Sequence, residues 1–214
     1  MDRRHRPHAR HGRPGRALQQ ALRRPHTRRP QVSTAATAAP RIETSRLILR
    51  QTEARDLEAH AAMLGDPEVM RHLTGAPMAR EDAWRRLLQG PGLWAVLGYG
   101  YWSVERREDG GYVGQLGFAD FKREIEPSIE GLPEMGWLFA SEVHGQGYAH
   151  EGVSAALAWA DEALGAAEIV AIIAPDNAPS IRLAERVGFV RAEETSYRDE
   201  PTLVFRRRVT IETK

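Results

Sequence analysis

Residues 134–152, Glu-Met-Gly-Trp-Leu-Phe-Ala-Ser-Glu-Val-His-Gly-Gln-Gly-Tyr-Ala-His-Glu-Gly, limit the fold more than any other stretch of this chain. An apolar, strand-like run ends in a short polar turn, which becomes glycine-rich and leads into a long amphipathic helix. The first amides of a helix have no partner within it, and that end carries the positive pole of the helix dipole. A glycine corner between a strand and such a helix therefore suits phosphate oxygens. Two familiar phosphate patterns are excluded. No Gly-Lys-Ser/Thr follows, so this is no Walker loop, and the third glycine of Gly-x-Gly-x-x-Gly is missing.

The rest of the chain supplies the elements that surround this unit. Ile42 and the run Leu47-Ile48-Leu49 read as a first strand. Thr52 stands in an N-cap position, with Arg55 rather than an acid three residues on, and helical spacing over 53–64 follows at Leu57, Ala61 and Leu64. Asp66-Pro67-Glu68 opens a second short helix with proline in its first turn. A third is expected over 80–89, broken by Gly90-Pro91-Gly92. Strands over 101–106 and 112–118 are joined by Glu108-Asp109-Gly110-Gly111, a hairpin signal. Next come a strand over 132–140, a helix over 148–164 and a short buried strand over 168–174. A helix over 178–187, stopped by Gly188, and a last strand over 203–209 complete the order. The pattern predicts a mixed sheet flanked by helices with one βαβ unit at its centre.

Of the 214 residues, 42% are hydrophobic and 28% charged, ordinary values for a globular chain. The net charge of +1 conceals an asymmetry, because residues 1–40 hold ten arginines and a single acid. That extension is nearly free of large apolar side chains and is expected to be disordered. It reads as a nucleic-acid or membrane-surface arm, as a solvated extension without a role, or as residues upstream of a true start at Val32. Its composition also faintly resembles an Arg-rich mitochondrial transit peptide. The remainder, 41–214, is mildly acidic and forms one expected domain. No run approaches the roughly 20 apolar residues of a membrane helix, so no membrane partner is expected. The chain has no cysteine, which rules out disulfides, Cys-based metal sites and a cysteine acyl-enzyme. It is compatible with a cytoplasmic location.

His144, Gly147 and Ala149 occupy the fixed positions of Arg/Gln-x-x-Gly-x-Gly/Ala, the acetyl-CoA pyrophosphate loop of the GNAT N-acetyltransferases, with His144 departing from the usual Arg or Gln. Three further segments share this resemblance: Arg41-Ile-Glu-Thr-Ser-Arg-Leu-Ile-Leu-Arg, Asp66-Pro67-Glu68-Val69-Met70, and Asn177-Ala-Pro-Ser180 followed by Gly188-Phe189. Together they resemble the RimJ/RimL-like branch over roughly residues 41–210. The resemblance implies an α+β fold with a mostly antiparallel sheet of about six to seven strands around a central βαβ cofactor unit.

It also implies acetyl-CoA as acyl donor, no metal, and direct attack of a primary amine on the thioester without a covalent enzyme intermediate. Trp137, Leu138 and Phe139 would contact the pantetheine arm through backbone atoms, one N–H serving as oxyanion donor. Gly145, Gln146, Gly147, Tyr148 and Ala149 would cradle the pyrophosphate, with His144 beside them. Glu134 is either the general base or a salt-bridged strand glutamate. Glu151 reads as a residue that complements the helix dipole or braces the fold. Asn177 would bond the pantetheine, cap its helix, or both. Many GNATs place a tyrosine acid four residues before Gly-Phe, where this chain has Ala184. Ser180 then becomes the thiolate stabiliser or proton donor.

Trp94, Tyr99, Tyr101, Trp102 and His72 are candidates to wall the acceptor site. The acidic domain suggests a cationic acceptor, such as a peptide N-terminus or a small-molecule amine. A homodimer remains open, and nucleic acid is expected only through the basic extension. Two other classes compete: a GNAT-fold module that senses acyl-CoA without turnover, and a nucleic-acid-associated protein working through its arginine-rich arm.

Overall fold

The computed structural model describes residues 38–209; most of the basic extension and the last five residues lie outside them. The strands are β1 (Ile42–Glu43), β2 (Leu47–Arg50), β3 (Tyr101–Arg106), β4 (Tyr112–Ala119), β5 (Glu134–Phe139), β6 (Glu168–Ile173), β7 (Val190–Tyr197) and β8 (Glu200–Arg208). The helices are α1 (Leu57–Gly65), α2 (Pro67–Met70), α3 (Arg80–Leu97), α4 (Tyr148–Ala163) and α5 (Ala178–Arg186). One sheet joins all strands in the order β1-β2-β3-β4-β5-β6-β8-β7. Only β5 and β6 are parallel neighbours, linked by the crossover helix α4, so the predicted βαβ unit sits inside an otherwise antiparallel sheet.

The sheet has eight strands rather than six to seven, for two reasons. The first apolar stretch folds back at Thr44–Arg46, giving β1 and β2 as an antiparallel pair. β7, Val-Arg-Ala-Glu-Glu-Thr-Ser-Tyr, lies at the sheet edge with most of its residues exposed. An edge strand tolerates such charge, which erases the apolar alternation by which strands are read.

Two helix expectations are also corrected. The turn before α1 is entered at Glu53, whose N–H donates to Asp56 Oδ2 at 2.9 Å, so Thr52 is not the cap. And α3 does not stop at Gly90-Pro91-Gly92; it continues to Leu97 and ends at Gly98 with φ +76°. A proline inside a helix costs about 3 kcal/mol. That cost is opposed by Trp94 one turn later, which is 0% exposed and donates Nε1–H to Tyr101 O. Trp94, Trp102 and Trp159 pack with ring centres 4.9–5.4 Å apart, fastening the end of α3 to β3 and α4.

Side-chain alternation on β5 divides the two faces of the sheet. Met135, Trp137 and Phe139 join the main core with α4 and α5, while Leu138 joins Met63, Leu64, Met70 and Ala83 under the early helices. The segment after β4 lays Ile125 and Ile129 over Val170 and Val204.

A buried charge pair anchors the early helices. Asp56 accepts from Arg50 Nη1 at 2.9 Å, Arg50 Nη2 at 2.7 Å and Ser103 Oγ at 2.9 Å. Burial alone would raise the Asp56 pKa, but these bonds reverse that and lower it. Asp56→Ala would leave the buried Arg50 guanidinium with only Glu105 on its Nε and Gln51 O on its Nη1, and is expected to cost about 3 kcal/mol in urea unfolding, against about 1 kcal/mol for Ser103→Ala.

Candidate active site

β5 is fully laddered to β4, from Gly114↔Phe139 to Ala119↔Glu134, yet pairs with β6 at Glu134↔Val170 alone. Val170 N–H donates to Pro133 O at 3.0 Å, and beyond that point the two strands part. The β6-facing backbone groups of Gly136–Phe139 are left without ladder partners. Main-chain donors and acceptors in a cleft are obliged to find partners from solvent or ligand. The N-terminus of α5 closes the far wall of this gap. Asn177 Oδ1 accepts from Ser180 N at 3.2 Å, capping the helix and leaving the Asn177 amide N–H groups to donate elsewhere. Trp137 Nε1–H donates to Ser180 Oγ at 3.3 Å. Trp137 and Ser180, 43 residues apart in sequence, thus meet across the opening, with the hydroxyl proton of Ser180 uncommitted.

At the outer end of β5 the chain turns through Gly145 (φ +72°) and Gly147 (φ +82°), and Gly147 is the N-cap of α4. No side chain caps this helix, so its first amides remain open donors. His144 Nε2 donates to Phe139 O at 3.0 Å, which fixes the proton on Nε2 because a carbonyl only accepts. Gln146 Nε2 donates to Glu142 O at 2.8 Å. Both side chains therefore brace the turn from behind, and the main-chain N–H groups of the corner are left to meet an anion.

The corner is clamped by Glu151, in the bracing role the sequence suggested, and by a turn between β1 and β2 whose part in this the sequence did not reveal. Glu151, in the first turn of α4, accepts from Thr44 Oγ1 (2.6 Å), Ser45 Oγ (2.8 Å), Arg46 N (2.8 Å) and Arg46 Nε (2.6 Å). Arg46 Nη1 also donates to Gln146 O at 2.9 Å, and its guanidinium lies 4.4 Å from the centre of the Tyr148 ring. Burial alone would raise the Glu151 pKa; the hydrogen bonds from Thr44, Arg46 and Ser45 outweigh this and hold it at about 2, against 4.5 ordinarily. A lowered carboxylate pKa gives stability that is complete above the unfolded value and is lost as pH falls toward the folded one. Glu151→Gln is expected to cost about 1–3 kcal/mol at neutral pH. Its urea-unfolding free energy should also fall less steeply than wild type between about pH 5 and pH 3.

On the opposite face, Glu134 is 5% exposed, and its two oxygens accept from Arg123 Nε at 2.6 Å and Nη2 at 2.8 Å. The Arg123 guanidinium lies 4.9 Å from the ring centres of both Phe121 and Tyr197. Of the aromatic candidates, Trp94, Tyr99 and Trp102 are core residues. Tyr101 reaches β5: a Cβ on Gly136 would stand 2.2 Å from its hydroxyl. Burial and the nearby Glu134 charge push the Tyr101 pKa up, so the phenol keeps its proton. His72 Nδ1 lies 3.3 Å from Asp176 Oδ1, joining the end of α2 to the turn before α5. Gly136→Ala is expected to displace Tyr101 and destabilise the fold by about 1–3 kcal/mol. Adding Tyr101→Phe should recover much of that loss, seen as positive coupling in a thermal-unfolding double-mutant cycle.

Comparison with known proteins agrees with this geometry. The Acetyltransferase (GNAT) domain family matches residues 46–190. A Bacillus subtilis protein named as the uncharacterized N-acetyltransferase YoaA is 32% identical over 154 residues, 70% of this chain and 82% of its own length. The acetyltransferase from Agrobacterium tumefaciens, known as a crystal structure, superposes with TM-score 0.68 at 28% identity, covering 79% of this chain and 94% of that one. The ribosomal-protein-S5-alanine acetyltransferase from Vibrio fischeri shares the fold, with TM-score 0.61 at 18% identity over 82% of this chain and all of that one. The chain belongs to the GNAT acetyltransferase family, whose activity is acyl transfer from acetyl-CoA. Among the described residues no helix is long and apolar enough to cross a membrane.

Proposed function

We propose that the protein transfers the acetyl group of acetyl-CoA directly to a primary amine, with no covalent enzyme intermediate. The observation that carries this reading is the gap between β5 and β6, walled by unpaired main-chain groups on one side and by Ser180 at the α5 N-terminus on the other. Acetyl-CoA would supply the activated thioester, which suits a cleft with free donors along one strand and an open, glycine-capped helix end at its mouth. The amides of Gly145–Ala149 hold the pyrophosphate, and Arg46 adds positive charge beside them. The backbone of Trp137, Leu138 and Phe139 binds the pantetheine, with one N–H aimed at the thioester carbonyl oxygen. The NH2 of Asn177 donates to the same arm.

When the amine nitrogen attacks the carbonyl carbon, its surplus proton leaves to Glu134, directly or through water. Reaching Glu134 requires an Arg123 N–H to give way, because both carboxylate oxygens are engaged. As the carbon–sulfur bond breaks, the Ser180 hydroxyl donates to the departing sulfur and replaces the tyrosine that Ala184 lacks. Trp137 Nε1–H steadies the serine oxygen during that transfer. An acceptor in the manner of the RimJ/RimL branch, a peptide N-terminus or a small amine, fits the same reading.

The protein has no cysteine, so any thiol released from acetyl-CoA is coenzyme A itself and can be followed with a thiol reagent. Release is expected only with an amine present, with no acetylated enzyme in intact-mass spectra. Ser180→Ala and Glu134→Gln should each lower kcat by about 10- to 100-fold while acetyl-CoA affinity by calorimetry holds. Tight acetyl-CoA binding without turnover on any amine would identify a sensor instead, and wild-type rates in both variants would remove these residues from the mechanism.

A further inference from the structure

Residues 120–133, which join β4 to β5, fold over the start of the cleft. Their backbone is fixed at several points. Asp120 accepts from Gly131 N at 3.1 Å and from Lys122 Nζ at 2.5 Å. Thr195 Oγ1 donates to Glu126 O at 2.5 Å, and Ile125 and Ile129 are buried against Val170 and Val204. Arg123 stands among these anchors and sends its side chain to Glu134, whose two oxygens accept from Nε at 2.6 Å and Nη2 at 2.8 Å. The guanidinium can therefore leave by rotation about its own bonds, with the backbone of the segment held in place.

Aromatic rings and one acid surround that cation. Its central carbon lies 4.9 Å from the ring centres of both Phe121 and Tyr197. The Tyr101 ring stands 6.5 Å from that of Phe121, and its hydroxyl abuts Gly136, which shares a face of β5 with Glu134. A carboxylate with ring faces beside it suits an organic cation. The adjoining cleft is lined by Phe121, Ile129, Leu132, the Asp120–Lys122 pair and the Arg123–Glu134 pair. Phe121, 39% exposed, marks its mouth, while Glu134 is 5% exposed.

A buried carboxylate without a partner is costly, so Glu134 needs a counter-ion before any substrate arrives. An aliphatic primary amine is an ammonium ion at neutral pH and claims the same carboxylate. One negative charge does not balance two cations. We propose that Glu134, Phe121 and Tyr197 form the cation subsite of the acceptor, and that Arg123 is its internal occupant, a plug that the acceptor's ammonium displaces. This rests on the acetyl-transfer reading and adds a control to it. It also narrows the acceptor to an amine flanked by apolar carbon, since a carboxylate beside the nitrogen would face Glu134. The exchange swaps one cation for another and makes or breaks no covalent bond. The plug weakens apparent acceptor affinity in proportion to the rarity of the open form.

The test combines thiol release from acetyl-CoA with ethylguanidinium, an unreactive mimic of the plug. In Arg123→Ala the KM for phenethylamine is expected to fall about 10- to 100-fold below wild type. Ethylguanidinium should compete with the amine and bring KM back toward the wild-type value. Phenylalanine, the same amine with a carboxylate beside its nitrogen, should be the poorer acceptor in wild type by at least about 10-fold in kcat/KM. A residue that only braces Glu134 would leave KM unchanged while kcat and stability fall, and that result would overturn the plug, as would equal use of phenylalanine. Where Arg123→Ala does not fold, Arg123→Lys decides: its single-point contact should give part of the same fall in KM, and an unchanged or raised KM overturns the proposal. If neither wild type nor variant acetylates any amine, the transfer reading fails separately, and calorimetry on the folded variant decides the subsite. Saturable ethylguanidinium binding that phenethylamine displaces, and that is lost when Glu134→Gln is added, sustains it. No binding, or binding that phenethylamine leaves untouched, sinks it.

Discussion

One main-chain pair, Glu134 against Val170, stands between a closed sheet and an open cleft. Had the parallel ladder continued, the β6-facing groups of β5 would be satisfied within the fold, and the strand could bind nothing by its backbone. The split is sustained from outside the ladder. β4 holds β5 along its whole length on one side, while β8 holds β6 from Glu168↔Arg208 to Ile173↔Leu203 on the other. Each strand is thus anchored to its own half-sheet, and the gap between the halves needs no reinforcement of its own. The helix that must follow β5 packs on one face, and its N-terminus falls at the wide end of the opening, where the glycine corner leaves its amides free.

The corner itself depends on a remote turn. Thr44, Ser45 and Arg46 between β1 and β2 give Glu151 four hydrogen bonds, so the first turn of α4 is pinned to the opposite end of the chain. This explains how a loop with two left-handed glycines can be held in place without a side-chain cap. It also gives the short β1–β2 hairpin a role beyond extending the sheet. Arg46 is neutralised in part by Glu151 and still adds a cation beside the helix end, a combination that tolerates an empty cleft and a filled one.

How much of this was legible in the sequence follows from separation along the chain. The strand, corner and α4 were read because their signals lie within consecutive residues: an apolar run, glycines, then helical spacing. The Asn177–Ser180 cap was equally local. The Arg46–Glu151 clamp spans 105 residues and carries no periodic mark, so only its membership in a familiar opening segment hinted at it. β7 was missed because an exposed edge strand needs no apolar alternation. α3 was cut short because burial of Trp94 outweighed a glycine-proline break, a tertiary effect no local pattern contains. Glu134 was recognised as base or ion-pair member, but its partner Arg123 lies in an irregular segment where neither spacing nor propensity points to it.

The charge of the domain and the charge of its site need not agree. Residues 41–214 carry more acids than bases, and that excess suggests attraction for cationic molecules at long range. Surface charge, however, is screened within about 8 Å at physiological salt. Beside β5 the balance is different: Glu134, the buried acid of that strand, is held by both Nε and Nη2 of Arg123. Away from bulk water each such interaction is stronger than at the surface. Long-range acidity can then govern which molecules approach, while at short range this acid meets them already paired with its own cation.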